Sequence, residues 1–341
     1  MMSIETKFIN RELEIEALRK LAYRDFSNVL YIYGPEGCGK TRLLREFINE
    51  FDGIGIYIDA LERENMESAI LLSPLARKAK DMLITLAEQV TGPVGRWLCT
   101  EILSLVERIS LKVQLQDRGL VIMVDDVTRA LGLDEIEHYI KWLYELRWRI
   151  AKEYRPKFVL IIATTSEGYS LSRVIRHTYN VANLLWNLNR DASIKLMLQL
   201  DPPSMHAIDS VWRLTGGNPR RIIEIATIFQ WDIERWLTKL ELELRSLVRI
   251  IKAEQLVHEV MQLIEDPDIL DRQPTHKLER AYRILLESNL MMYSGLMLLS
   301  SWIEEDKSKW KLKADEELGI GEYYAWQIPA YKQVLCRLLK G

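Results

Sequence analysis

The 341-residue chain has few cysteines, and they are scattered. Cys38, Cys99 and Cys336 show no C-x-x-C spacing, which suits a reducing cytosol and excludes a disulfide framework. Charge of one sign is also missing: 46 Lys and Arg stand against 49 Asp and Glu, a formal charge of −3. No global basicity therefore advertises nucleic acid. Long apolar runs are absent too. The most apolar stretch, residues 290–303, is too short for a membrane helix and contains Ser and Gly. The opening Met-Met-Ser-Ile-Glu-Thr-Lys lacks the apolar core of a signal peptide. There is no internal repeat and no low-complexity segment. These absences lead us to expect a soluble cytoplasmic protein with no membrane partner. At 48% hydrophobic and 28% charged residues, it can form two or three domains with a sizeable core.

One stretch stands out. Val29-Leu30-Tyr31-Ile32-Tyr33 reads as a buried strand, Gly34-Pro35-Glu36-Gly37-Cys38-Gly39-Lys40-Thr41 has the Gly-x4-Gly-Lys-Thr pattern, and Leu43, Leu44, Phe47 and Ile48 follow at helical spacing. This is the phosphate-binding P-loop in its required strand–helix setting. Gly34, Gly37 and Gly39 let the backbone curl until its N–H groups converge on phosphate oxygens. The helix beginning near Lys40 adds its positive end. Lys40 neutralises phosphate charge, and the Thr41 hydroxyl is placed to ligate Mg²⁺. Pro35, Glu36, Cys38 and Arg42 complete the expected nucleotide-binding stretch. No Asn-Lys-x-Asp sequence, the guanine-reading signature, occurs anywhere, so an adenine nucleotide, ATP, is expected.

Leu120-Val121-Ile122-Met123-Val124-Asp125-Asp126 is the second diagnostic piece. It describes a central parallel strand ending in carboxylates at the sheet edge where ligands bind. Asp125 is expected to hold Mg²⁺, and Asp126 to orient or deprotonate the attacking water. Lys157 to Ser166 is a further apolar strand ending in hydroxyls, with Thr165 preferred over Thr164 as the group near the γ-phosphate. Ile54 to Ala60 is another strand, with Asp59 in a turn or cap role. Residues 66–115 read as two or three helices broken at Thr91-Gly92-Pro93. Two apolar stripes run through them: Leu75, Ala79, Met82, Leu83, Leu86, and then Leu98, Ile102, Leu105, Val106, Ile109. Leu133 to Ala151 reads as a helix whose Arg147 and Arg149 form a solvated face. Ahead of the P-loop, Asn10 is placed to cap a helix with Leu13, Ala17, Leu18 and Leu21 on its apolar face.

In Leu214-Thr215-Gly216-Gly217-Asn218-Pro219-Arg220-Arg221, Asn218 is a good N-cap and Pro219 suits the first helical position. Arg220 and Arg221 then stand at a helix N-terminus, where positive charge is unfavourable without an anion. Beyond residue 240, helical patterns precede two short apolar segments, Leu290 to Ser294 and Glu322 to Ile328, with a charged loop between them. Pro329 opens a last helix through Tyr331, Val334, Leu335 and Leu338.

In this order the pieces resemble the archaeal ATPase family, within the STAND branch of AAA+-related P-loop proteins. The segment Phe8-Ile9-Asn10-Arg11-Glu12-Leu13-Glu14 resembles the F-x-x-R-E-x-E box of these ATPases, which implies that Phe8, Ile9 and Arg11 pack on adenine. Asp125-Asp126 resembles Walker B, and the strand ending at Thr164-Thr165 resembles sensor 1, lying between the Walker A and Walker B strands. Asn183 to Ala192 resembles the turn into a helical lid. Gly-Gly-Asn-Pro-Arg resembles sensor 2 and implies that Arg220, with Arg221 as the alternative, reports the γ-phosphate. Motor-type members carry Asp-Glu where this chain has Asp-Asp-Val, a triplet that resembles the NB-ARC and related signalling ATPases and implies slow hydrolysis.

The implied architecture is an α/β P-loop αβα sandwich with a parallel sheet (1–188), a helical lid (189–240) and a winged-helix-like domain (241–341). Three roles are compatible with it: an ATP switch that controls a protein partner or assembly, a DNA-associated ATPase, and a nucleotide-binding scaffold without turnover. Residues 241–341 hold 14 Lys and Arg against 17 Asp and Glu, so DNA is not supported by charge. Lys307, Lys309, Lys311 and Lys313 form one local basic strip that reads as a solvated loop. Arg129, Arg173 and Arg176 are the candidates for an arginine finger between subunits of an oligomer.

Overall fold

In the computed structural model the described residues are 6–24, 26–62, 69–77, 94–126, 136–165 and 168–341. Five strands, β1 (Val29–Tyr33), β2 (Ile54–Asp59), β4 (Gly119–Asp125), β5 (Phe158–Thr165) and β6 (Asn180–Leu184), are parallel. A short β3 (Ile70–Leu72) joins antiparallel at one edge, giving the order β3-β2-β4-β5-β1-β6. The central strands β1, β4 and β5 are buried along their whole length, as parallel strands covered on both faces must be.

Helices cover the two faces. Val29, Tyr31, Ile122 and Ile161 pack with α3 (Val94–Lys112) and α4 (Ile136–Tyr154). Leu30, Ile32, Met123 and Ile162 pack with α1 (Glu12–Ala22) and α2 (Lys40–Glu50). Helix α5 (Gly168–Ile175) leads into β6. The result is the expected three-layer P-loop sandwich.

Four local expectations are corrected. Ile70–Leu72 is an edge strand and not helical, because three residues are too few for a period to show; Ala79, Met82, Leu83 and Leu86 lie outside the described residues. Residues 180–184 are a sixth strand, so Asn183 and Leu184, the start of the segment 183–192 read as a turn, belong to the sheet. Asn10 does not cap α1. It is left-handed at φ 54°, Arg11 takes the cap position without a side-chain bond, and Ile15 faces inward while Leu13 is exposed. Arg147 is buried, not solvated, and its Nε donates to the Phe26 carbonyl at 3.0 Å.

After the sheet come α6 (Arg190–Leu198), α7 (Met205–Thr215), α8 (Pro219–Thr227), α9 (Ile233–Ala253), α10 (Val257–Glu265), the single turn α11 (Ile269–Arg272) and α12 (His276–Glu287). Strands β7 (Met291–Tyr293) and β8 (Tyr324–Trp326) then pair antiparallel, and α13 (Pro329–Lys340) ends the chain. Helix α9 runs straight through the expected division at 240/241. One apolar core spans both sides of it, from Leu188 and Met197 through the fully buried Trp236 and Trp326 to Leu335. The segment after β7 folds back along the β6 edge, where Leu184 N–H donates to Met297 O at 2.9 Å and Trp302 Nε1 to Asn183 Oδ1 at 2.9 Å. That cover removes an open strand edge.

Glu224 on α8 ties this core together. It accepts Lys239 Nζ at 2.6 Å, Arg221 Nη1 at 2.7 Å and Trp236 Nε1 at 3.3 Å. Burial by itself would raise its pKa, but Lys239, Arg221 and Trp236 outweigh it and hold the carboxyl below its ordinary value. A depressed folded-state pKa adds stability above the unfolded value of about 4.3, and that stability is lost as pH falls through the folded value. Glu224→Gln should therefore lower the melting temperature by roughly 2–8 °C at pH 7. The gap from the unaltered protein should close below about pH 4, as calorimetry across pH would read.

Candidate functional site

The P-loop turns out of β1 and enters α2 at Gly39, whose φ of 104° suits glycine. Gly37 is also left-handed at φ 81°, and a Cβ there would lie 2.5 Å from the Arg220 Cβ. Gly34 is constrained differently: its Cβ would lie 2.0 Å from the Leu185 carbonyl oxygen. Lys40 is buried, and its Nζ donates to the carbonyls of Gly34 at 2.8 Å and Pro35 at 3.0 Å, so the ammonium sits within the curl of the loop. Against the loop lies a cavity of about 390 Å³ lined by Gly37, Lys40, Thr41, Arg45, Asp126 and Arg220, with Glu36, Gly39, Arg42, Pro219 and Ile223 completing its wall.

The start of α8, in the segment expected as a lid, is seated on the loop. Asn218 caps α8 by accepting Arg221 N–H at 3.2 Å, and its Nδ2 donates to Glu36 O and to Asn187 Oδ1, both at 2.9 Å. Arg220 N–H donates to Gly37 O at 3.3 Å, and its guanidinium meets Glu36 at 2.7 Å. Arg221 turns away to Glu224 and to the Tyr331 hydroxyl at 2.9 Å. Burial opposes its charge, yet Tyr331 and Glu224 more than compensate and its pKa is raised. Of the two arginines, Arg220 faces the cavity.

Asp125 is 2% exposed, and alternation along β4 puts it on the α2 face with Val121 and Met123. Its carboxylate accepts the Tyr57 hydroxyl at 2.9 Å and the Thr164 hydroxyl on the other oxygen. Thr164 also accepts Asp126 N–H at 2.8 Å, where the strand ends with Asp126 at φ 51°. It is Thr164, and not the preferred Thr165, that meets the Asp125 carboxylate. Thr164 shares the α2 face with Leu160 and Ile162, whereas Thr165 is buried on the opposite face with Ile161 and Ala163. The side-chain period of two decides which hydroxyl arrives. β5 does lie between β4 and β1.

The N-terminal box bridges loop and lid. Phe8 packs on the α1/α2 core with the Arg42 guanidinium 6.0 Å from its ring centroid, and Ile9 packs on the lid core. Arg11 is held by the protein itself. It is buried, and one nitrogen donates to Cys38 O at 3.1 Å and Trp186 O at 2.6 Å, while the other meets Glu14 at 3.0 Å. Two residues at the site carry no sequence signal of their own: Tyr57 on β2, and Gln327 after β8, whose Oε1 accepts Glu36 N–H at 2.9 Å. Asp59 accepts Leu61 N–H at 3.0 Å in the expected turn. Arg173 and Arg176 both pair with Glu137, at 3.0 and 3.5 Å, and neither lines the cavity; Arg129 lies outside the described residues.

Residues 8–225 match the sequence profile of an ATPase domain found predominantly in Archaea. The chain belongs to this archaeal ATPase family. It is also 25% identical, over 273 residues, to an uncharacterized ATP-binding protein of Pyrococcus abyssi, a match covering 70% of this chain and 77% of that protein. A second similarity, 28% identity over 138 residues, is to origin recognition complex subunit 5 of Drosophila melanogaster. It covers 39% of this chain and only 28% of the fly protein's length. Among the described residues no helix is long and apolar enough to cross a membrane.

Gly37→Ala would force an L-residue into the left-handed region and push its Cβ into Arg220. A loss of at least about tenfold in affinity for a fluorescent ATP analogue is expected, together with a melting temperature lower by about 2–6 °C.

Proposed function

We propose that this archaeal-family ATPase is a slow ATP-hydrolysing switch whose nucleotide state is passed through the lid to the C-terminal segment, and so to a protein partner or assembly. One observation carries this reading: a single P-loop residue is held both from the start of α8 and from the segment after β8. Glu36 N–H is bonded by Gln327, Glu36 O by Asn218, and its carboxylate by Arg220. A phosphate that repositions Glu36 would strain all three bonds together, and one that draws Arg220 inward would break its pair with the Glu36 carboxylate.

The residues fit an ATP·Mg²⁺ complex. Thr41 lines the cavity with Asp126, and the neighbouring Asp125 at the end of β4 lies on the same sheet face as the P-loop helix, so hard oxygen donors are gathered there. Mg²⁺ is typically held in this way, by one or two carboxylates together with substrate phosphates. When bound it would neutralise charge developing on the phosphate oxygens. Lys40 and the P-loop amides would hold the phosphates, Arg220 would contact the γ-phosphate, and Asp126 would orient the water. Phe8 and Ile9 border the adenine end, with Arg11 fixing the loop behind them. In this reading the base is the sheet domain, while the segments expected as lid (189–240) and C-terminal domain (241–341) act as one body, since α9 and a single apolar core join them.

The resemblance to an origin recognition complex subunit favours a second reading, an ATPase that works on or beside DNA. Hydrolysis measured with Mg²⁺ across a protein concentration series, with and without duplex DNA, separates the two. Slow turnover indifferent to DNA supports the switch, whereas DNA stimulation moves the protein to the second reading. Bound ATP with no turnover would make it a scaffold. Lys40→Ala should abolish measurable ATP binding, and survival of affinity would remove the site. Asp126→Ala should keep affinity and lower turnover by about 10²-fold or more, so an unchanged rate would exclude it as the water-orienting group.

A further inference from the structure

Tyr57 and Arg45 belong to none of the nucleotide motifs, yet they lead from the cavity wall to the metal carboxylate. Tyr57 is completely buried on the α2 face of β2, opposite Met123 and diagonal to Asp125. Its ring packs as core, but its hydroxyl donates to Asp125 Oδ2 at 2.9 Å. Arg45 projects from α2, the helix that carries Lys40 and Thr41, and lines the same cavity. Its guanidinium lies 5.4 Å from the Tyr57 ring centroid and 3.7 Å from the Asp59 carboxylate. Its Nε is buried and has no hydrogen-bond partner among the described residues.

A carboxylate that serves a metal needs a fixed orientation. Asp125 receives one hydroxyl on each oxygen, from β2 on one side and β5 on the other, so its plane is set before any cation arrives. Such outer partners of ligating carboxylates tune metal affinity as strongly as some ligands do. We propose that Tyr57 is the positioning residue for the Mg²⁺ carboxylate Asp125, and that Arg45 braces Tyr57 from the P-loop helix. The inference rests on the ATP·Mg²⁺ reading and deepens it. The brace joins the helix that binds phosphate to the strand that presents the metal ligand, so a shift of one is felt by the other.

Tyr57→Phe keeps the ring and removes only the donor. The measurement is affinity for a fluorescent ATP analogue, taken in EDTA and then with Mg²⁺, with Mn²⁺ paramagnetic resonance as a direct reading of metal binding to the protein–nucleotide complex. Affinity in EDTA should stay within about twofold, and the gain on adding metal should fall by about 10-fold or more. Arg45→Met, at a partly exposed position where folding is not at risk, should reduce the gain in the same direction by a smaller factor of about three. An equal loss with and without metal would make Tyr57 a packing residue and overturn the proposal. So would an unchanged gain in Tyr57→Phe, or in Arg45→Met should the first variant not fold. Failure of the unaltered protein to bind ATP would overturn the site reading and the relay together, whereas normal metal-dependent binding in both variants overturns the relay alone.

Discussion

A P-loop must leave its inward amides free for phosphate, so the polar groups on its outer side have to be satisfied by other parts of the chain. Here those partners come from the whole length of the protein. Arg11 takes Cys38 O, the Cys38 thiol bonds Leu185 O, Asn218 takes Glu36 O, and Gln327 takes Glu36 N–H. The N-terminal box, the end of β6, the lid and the C-terminal segment are thus assembled around one turn of eight residues. A glycine at 37 is required by the same crowding, since the lid backbone bonds the loop backbone there. Shape and hydrogen bonding at this turn constrain where every later element can lie.

The second constraint is the sheet. Five parallel strands bring the ends of β1, β4 and β5 to one edge, and alternation along each strand sorts side chains between two helical layers. Asp125, Thr164 and Tyr57 come from three strands and meet because all three fall on the α2 face. Thr165 and Ala163 belong to the other layer. The Asp125 carboxylate and the P-loop helix α2 are therefore on the same side of the sheet, as a metal shared with phosphate would require. Beyond the sheet, the lid and the last hundred residues share one apolar core, with Glu224 and Arg221 linking α8 to α9 and α13. Lid and C-terminal helices are expected to respond together.

The P-loop, the Walker B strand, the Asn218 cap and Pro219 were legible in the sequence because each depends on residues adjacent along the chain: glycines at fixed offsets, an apolar run ending in acids, a cap before a proline. The family and the layered fold followed from their order. Elements too short to show a period were not legible, as β3 and β6 illustrate. Nor were side chains whose partners lie far away in sequence: Arg11 bonding Trp186, Arg147 bonding Phe26, Gln327 reaching Glu36. Choosing between Thr164 and Thr165, or between Arg220 and Arg221, required knowing which face each strand and helix turns inward. Local chemistry determined the P-loop and its place along the chain; only the tertiary structure decided which hydroxyl meets Asp125, which arginine lines the cavity and which distant amide bonds Glu36, because strand register and helix facing are set by packing between segments that the sequence does not place side by side.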